Sequence, residues 1–142
     1  MARPRRDDAA PPLEEVHRLP FLPTSNRAAR GLLSAYLRST PLGASVSQDA
    51  AIVLGELVAN SLDHGRPDSR DGLEVTWRVD GGRLQLSVCD GGGGATRPQV
   101  VAAGPWATRG RGLAMVQALA ESWWVDDATG TRVTAVLAPG PD

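Results

Sequence analysis

The chain has 142 residues, enough for one domain with a substantial hydrophobic core. Its net charge is −1, which gives no sign of the basic surface that direct nucleic-acid binding usually needs. All 15 basic residues are arginine, which excludes a P-loop lysine, and the single cysteine, Cys89, excludes an internal disulfide. No apolar run is long enough to span a bilayer, so we expect a cytoplasmic protein with no membrane contact.

The composition along the chain predicts one domain between two short tails. Residues 1–15 are rich in Pro, Arg and Asp, which is typical of a disordered lead-in. The domain itself is expected over residues 16–138, followed by a tail at 139–142.

The first half of the domain predicts an edge strand and two helices. The strand is expected over residues 16–21. It should lie at a sheet edge, because a proline such as Pro20 is tolerated mainly there. Thr24 or Ser25 is expected to cap a helix that runs to about Ser39, with Ala28 on its inward stripe. A second helix, capped by Ser45 or Ser47, ends at His64, and Gly65 is expected in the left-handed conformation that terminates it.

The second half predicts two hairpins with a loop and a helix between them. Alternating strands cover 73–79 and 83–88, joined by an Asp-Gly-Gly turn. An irregular lid covers about 95–109, a third helix opens at Gly110, and strands at 123–126 and 131–137 close the domain, with Trp123 and Trp124 in the β core. Together these elements indicate an α/β fold: a two-layer α/β sandwich with a mixed, mostly antiparallel sheet and helices on one face.

Three motifs carry polar groups where chemistry would need them. Glu56 and Asn60 lie one turn apart on the second helix, where a carboxylate and an amide oxygen can face a metal-bound phosphate. The apolar residues of the same segment fall on the other side of the helix, which we expect to be buried: Leu54, Leu57, Val58 and Leu62. Taken alone, the pair of Glu56 and Asn60 is better explained as a solvated helix face, because polar pairs at this spacing are common.

The second motif is Asp90 with Gly92 and Gly94, at the end of a strand. The carboxylate can accept a hydrogen bond from an exocyclic amine such as adenine presents, and the glycines let backbone approach a ligand closely. The alternative is an ordinary glycine-rich turn. Its extra glycines, Gly91 and Gly93, predict a floppy loop.

The third motif is Gly110-Arg111-Gly112 at the expected start of a helix. Free N–H groups at a helix N-terminus attract anions, glycines let phosphates approach, and Arg109 and Arg111 add positive charge. A lid-to-helix junction with solvated arginines is the structural alternative.

In this order, the three motifs and the later Gly130-Thr131 pair resemble the conserved boxes of the gyrase/histidine-kinase/chaperone ATPase superfamily, which has the Bergerat ATP-binding fold. Two sequence motifs are most similar to those of the small anti-sigma factor serine/threonine kinases of actinobacterial type: the segment from Glu56 to His64 and Gly110-Arg-Gly-Leu113. The resemblance covers roughly residues 16–138. Ser61 stands where alanine is commoner, a change expected to be small.

The resemblance implies ATP and Mg²⁺ as cofactors and gives each matched residue a role. Glu56 would be the general base and Asn60 the Mg²⁺ ligand, while Asp90 would recognise the adenine amine. The residues matched to the rest of the ATP site are Gly92, Gly94, Gly110, Gly112, Leu113 and Thr131. One of Arg109 and Arg111 would contact the γ-phosphate.

The implied activity is transfer of the γ-phosphate to an anti-sigma factor antagonist, with a sigma factor as a second partner. The alternative is a non-catalytic, ATP-gated regulatory binding module; Glu56 favours the enzyme, because a pure binding module has less need of a base. A sensor histidine kinase catalytic domain is less favoured, because His17 does not lie on a dimerising helix. Relatives of this type often dimerise through the sheet edge and first helix, so a homodimer is one expectation.

Overall fold

The computed structural model describes residues 14–92, 107–127 and 129–139, with the backbone alone over 107–112. Its strands are β1 (Glu14–Pro20), β2 (Gly72–Asp80), β3 (Arg83–Asp90), β4 (Ser122–Asp126) and β5 (Thr131–Leu137). Its helices are α1 (Thr24–Leu37), α2 (Gly43–His64) and α3 (Ala107–Leu119). The order of elements agrees with the prediction. β1 already begins at Glu14, inside the expected lead-in, while the rest of that lead-in, most of the lid and the end of the tail lie outside the described residues.

Within the described chain, the five strands form one sheet in the order β1-β2-β3-β5-β4, and every neighbouring pair is antiparallel. The predicted α/β fold with a mostly antiparallel sheet is confirmed. Gly81 and Gly82 have φ values of 60° and 78°, which suit a two-residue hairpin loop between the paired residues Asp80 and Arg83. The glycines between β2 and β3 therefore fix the register of the central hairpin.

The hydrophobic core lies between one face of the sheet and the three helices. Strand residues that face this core alternate along each strand, as a half-buried sheet requires. The fully buried ones are Leu73, Val75, Trp77, Leu84, Leu86, Val88 and Ala135. Helix α2 is central, because it contacts α1, α3, β3 and β5. Its Leu54, Leu57 and Val58 are buried, on the side predicted for them.

The ends of the helices differ from the prediction. α1 and α2 follow Pro23 and Leu42, and neither helix has a side-chain N-cap from the predicted serines or threonine. Both helices begin one residue or more before the expected positions, so the hydroxyl groups that were expected to cap them lie inside the helices. Ser25 there donates a hydrogen bond of 2.6 Å to the carbonyl of Pro20 instead.

Two expected core positions are exposed. Ala28 lies on the solvent side of α1, so the inward stripe of that helix is narrower than predicted. Trp124 on β4 is 45% exposed, because it points to the sheet face opposite the helices, while Trp123 packs against the core. Among the described residues, no helix combines the length and hydropathy needed to cross a lipid bilayer.

Candidate functional site

The site is centred on the carboxyl group of Asp90, the last residue of β3, which is only 3% exposed. The hydroxyl of Ser61 donates a hydrogen bond to this carboxyl group, and the N–H of Gly92 donates to its Oδ1 at 2.6 Å. Burial raises the pKa of Asp90 above its ordinary value; the two hydrogen bonds oppose that rise, and repulsion from Asp68 adds to it. A carboxylate has room for more than two donors, so this buried acceptor retains capacity for a ligand.

Gly65 occupies a position that only glycine can fill. Its backbone is extended, with φ −91° and ψ −162°, so the left-handed helix end expected there is wrong. The N–H of Gly65 donates to the carbonyl of Ser61 at 2.8 Å, which closes the last turn of α2. A Cβ atom at position 65 would overlap both carboxyl oxygens of Asp90. The glycine is therefore required for space beside Asp90 rather than for its backbone conformation.

A second close approach joins β3 to β5. Asp90 pairs with Thr131 in the sheet, which brings two predicted site residues side by side. Gly92 has φ 67°, and a Cβ there would lie 3.0 Å from Thr131 Oγ1. Gly130 has φ 97°, and a Cβ there would overlap the carbonyl oxygen of Asp90. The glycines just after β3 and just before β5 therefore let the two backbones approach closely beside Asp90.

The loop after α2 completes this enclosure. Gly91 donates its N–H to the carbonyl of Arg66 at 2.8 Å, and a Cβ at position 91 would overlap the carbonyl of Pro67. Gly91 therefore packs closely against the loop; the other glycines of the turn that was expected to be floppy, Gly93 and Gly94, lie outside the described residues.

Glu56 and Asn60 lie one turn apart on α2, as predicted, and both are partly buried. Asn60 directly precedes Ser61, the residue whose hydroxyl reaches Asp90. Helix α2 thus carries the predicted base and metal ligand on the same segment that supports the predicted adenine acceptor.

The third motif is placed differently from the prediction. Helix α3 begins at Ala107, so Gly110 belongs to its first turn and Gly112 lies beyond it. The free N–H groups of a helix are those of its first turn, which makes Gly110 the better placed of the two for an anion. Leu113 is buried in the core at 2% exposure. Gly94 and the side chains of Arg109 and Arg111 lie outside the described part of the chain.

Comparison with known proteins decides the family. The sequence model of one protein family, the histidine kinase-like ATPase domain, matches residues 19–137, which is most of the chain. The chain belongs to this ATPase domain family. No curated protein sequence matches it.

Among solved structures, the chain is similar to the RsbU and RsbW domains of Rv1364c from Mycobacterium tuberculosis, with a TM-score of 0.68 and 23% sequence identity. The match covers 91% of this chain and 33% of the other, so the chain spans about a third of that protein's length. At this identity the likeness supports the fold alone.

The ATPase family implies ATP as the ligand, and the described residues fit its adenine end. Asp90 supplies a buried acceptor for an exocyclic amine, and four close glycines keep the surrounding backbone free of side chains. Within the described residues, no three His, Cys, Asp or Glu side chains form a metal cluster. A single amide ligand such as Asn60 suits Mg²⁺, which takes much of its coordination from phosphates and water.

Sequence reasoning missed four residues of this site: Ser61, Gly65, Arg18 and Asp68. Arg18 on β1 donates to Asp68 Oδ1 at 2.7 Å, and the same oxygen accepts from the N–H groups of Arg70 and Gly72. The ion pair therefore ties the loop that encloses Asp90 to the edge strand. No sequence signal points to it, because the two residues are far apart in the chain and neither forms a motif.

The ion pair predicts a pH-dependent contribution to stability. The hydrogen bond from Arg18 lowers the pKa of Asp68 to about 2 from an ordinary value of 3.8. Because the folded-state pKa is the lower one, the stabilisation is present above pH 3.8 and is lost as the pH falls towards 2. We expect Asp68→Asn to cost about 1 kcal/mol at pH 7, as partly exposed pairs do, and the difference to shrink below pH 4.

Denaturant unfolding at several pH values measures this contribution. Asp71→Asn is the matched control, because Asp71 is exposed in the same turn and its positive φ of 65° suits Asn as well as Asp. A difference between Asp68→Asn and wild type that stays constant from pH 7 to about pH 2 would contradict the role of the ion pair.

Proposed function

We propose that the chain is an ATP-dependent serine/threonine protein kinase of the anti-sigma factor type. Its substrate would be an anti-sigma factor antagonist, and it would bind a sigma factor when the antagonist is not available. The observation that carries this proposal is the support of Asp90 by the segment of α2 that also bears Glu56 and Asn60. One helix thereby links the recognition of the base to the place where the phosphates would lie.

The proposed mechanism assigns each step to a residue of this chain. Asp90 accepts a hydrogen bond from the adenine amine, and Thr131 lies beside it on β5. Asn60 would hold Mg²⁺, which neutralises charge on the phosphates when bound. Glu56 takes the proton from the attacking serine or threonine hydroxyl. The hydroxyl oxygen forms the new bond to the γ-phosphorus, the bond to the bridging β,γ-oxygen breaks, and ADP leaves.

Replacing Glu56 separates the kinase from its alternative, the ATP-gated binding module. We expect Glu56→Ala to retain ATP affinity and to lower the rate of transfer by about 10²–10⁴, the usual contribution of a general base. The measurement is transfer of labelled γ-phosphate to candidate antagonist proteins from the same genome. Asp49→Ala is the control, because Asp49 is an exposed carboxylate two turns earlier on α2.

Two results bear on the choice. Transfer that persists undiminished in Glu56→Ala removes Glu56 as the base. If wild type binds ATP but phosphorylates none of the candidates, the kinase proposal fails and the ATP-gated binding module takes its place.

A further inference from the structure

The contact between Ser61 and Asp90 joins helix α2 to the end of strand β3. Ser61 lies on α2 directly after the proposed Mg²⁺ ligand Asn60, and its side chain is buried at 5% exposure. Asp90 ends β3 and is the proposed adenine acceptor. A buried hydroxyl and a buried carboxylate each require a partner, and here each supplies it to the other.

The geometry around Asp90 makes the Ser61 hydroxyl a determinant of where the carboxylate points. Gly92 N–H holds Oδ1 from the side of β3. The backbone of Gly65 closes another side, since a Cβ there would overlap the carboxyl group. Ser61 is the side-chain donor that completes this arrangement from the helix. A carboxylate without that donor would be free to turn away from the direction in which a ligand amine approaches.

We propose that Ser61 is a positioning residue for nucleotide recognition, whose hydroxyl fixes the Asp90 carboxylate in the orientation that accepts the adenine amine. This inference deepens the proposed function and rests on it. It also departs from the expectation that serine in place of alanine at position 61 is a small change. The serine adds a charge-assisted hydrogen bond at the base of the site.

The same hydrogen bond affects the protonation of Asp90. Burial raises the pKa of this carboxyl group, and the bond from Ser61 opposes the rise. Among the described neighbours, the charged group that acts on Asp90 is Asp68 in the loop after α2, and β3 adds the Cys89 thiol. The other contacts, Ser61 from α2 and Thr131 from β5, are uncharged. Loss of the Ser61 hydroxyl should therefore raise the pKa of Asp90 further.

Ser61→Ala tests the proposal in two measurements. In the ligand-free protein, carboxyl carbon NMR should show that the pKa of Asp90 is higher in Ser61→Ala than in wild type. By calorimetry, ATP affinity at pH 7 should fall about tenfold or more, as loss of a hydrogen bond to a charged group implies. The decline of ATP affinity on acidification should also begin at a higher pH in the variant, because a protonated carboxyl group no longer accepts from the amine.

Ser25→Ala is the matched control. Ser25 is a buried serine, at 2% exposure, whose hydroxyl also donates a hydrogen bond, but it lies at the start of α1 and bonds the Pro20 carbonyl. The Ser25→Ala variant should be less stable than wild type but keep the wild-type ATP affinity and its dependence on pH. A structural role for Ser61 would give the same pattern as Ser25.

The outcomes separate this inference from the proposed function. An unchanged pKa of Asp90 in Ser61→Ala, or an unchanged ATP affinity, overturns the positioning role while wild-type binding leaves the proposed function intact. If the pKa of Asp90 rises in Ser61→Ala but the wild-type protein binds no ATP, the proposed function fails, and the positioning role fails with it. Alanine is well tolerated inside a helix, so the variant should fold.

Discussion

Asp90→Asn is expected to abolish ATP binding without lowering the stability of the folded protein. Asp90 is nearly fully buried, and burial raises its pKa, so its charge at neutral pH is a cost to folding rather than a gain. The neutral amide has nearly the same shape and removes that cost. Stability should therefore stay the same or increase, while the acceptor that the adenine amine needs is lost.

ATP affinity should fall at least about 100-fold. One charge-assisted hydrogen bond is lost, and the N–H group of the new amide would face the N–H group of the adenine amine. Ser61 and Gly92 already donate to the Asp90 side chain, and an amide offers only one acceptor oxygen for them and the ligand together. Calorimetry with ATP, paired with thermal unfolding, measures both effects. ATP affinity equal to that of wild type would refute the role of Asp90 in recognising the base.

Gly65→Ala should weaken ATP binding on the order of 10- to 100-fold by displacing the Asp90 carboxyl group. The backbone at position 65 is extended, with φ −91°, so alanine meets no strain in its own dihedral angles. The added methyl group instead overlaps the carboxyl group, which must rotate or move. Calorimetric ATP titration of the variant, with unfolding to confirm that it is folded, checks this expectation.

Gly31→Ala is the matched control for Gly65→Ala. Gly31 lies on the exposed side of α1, and no atom lies within 4 Å of a Cβ built there. Alanine should therefore stabilise the helix by about 0.5–1 kcal/mol and leave ATP affinity unchanged. If Gly65→Ala binds ATP as tightly as Gly31→Ala does, the close approach of Gly65 to Asp90 has no part in recognition.

Local pattern was sufficient to predict the elements of the fold. Alternation located β2 and β3, the helical stripe located Leu54, Leu57 and Val58 on the buried side of α2, and the glycines at 81 and 82 marked the hairpin. These features depend on residues close together in sequence. The predicted starts of the helices were less accurate, because a nearby serine or threonine caps a helix only if the helix begins directly after it.

The proposed site was partly predictable for the same reason. Asp90 and Thr131 were placed in one pocket by family resemblance, and the sheet register sets them opposite each other. Ser61 and Gly65 were missed because their contact with Asp90 joins the end of α2 to the end of β3, which no periodicity encodes. Gly65 was interpreted as a helix terminator, since a glycine after a helix has that local explanation available.

The most direct test of this account is a comparison of ATP with GTP in calorimetric titrations of the wild-type protein with Mg²⁺. Adenine presents an amine where guanine presents a carbonyl oxygen, so an acceptor such as Asp90 distinguishes the two. We expect ATP to bind at least about 100-fold more tightly than GTP, because bound GTP would leave the buried carboxyl group of Asp90 without its hydrogen-bond donor. Equal affinity for the two nucleotides, or no binding of ATP, would contradict the claim that Asp90 and its enclosure form an adenine site.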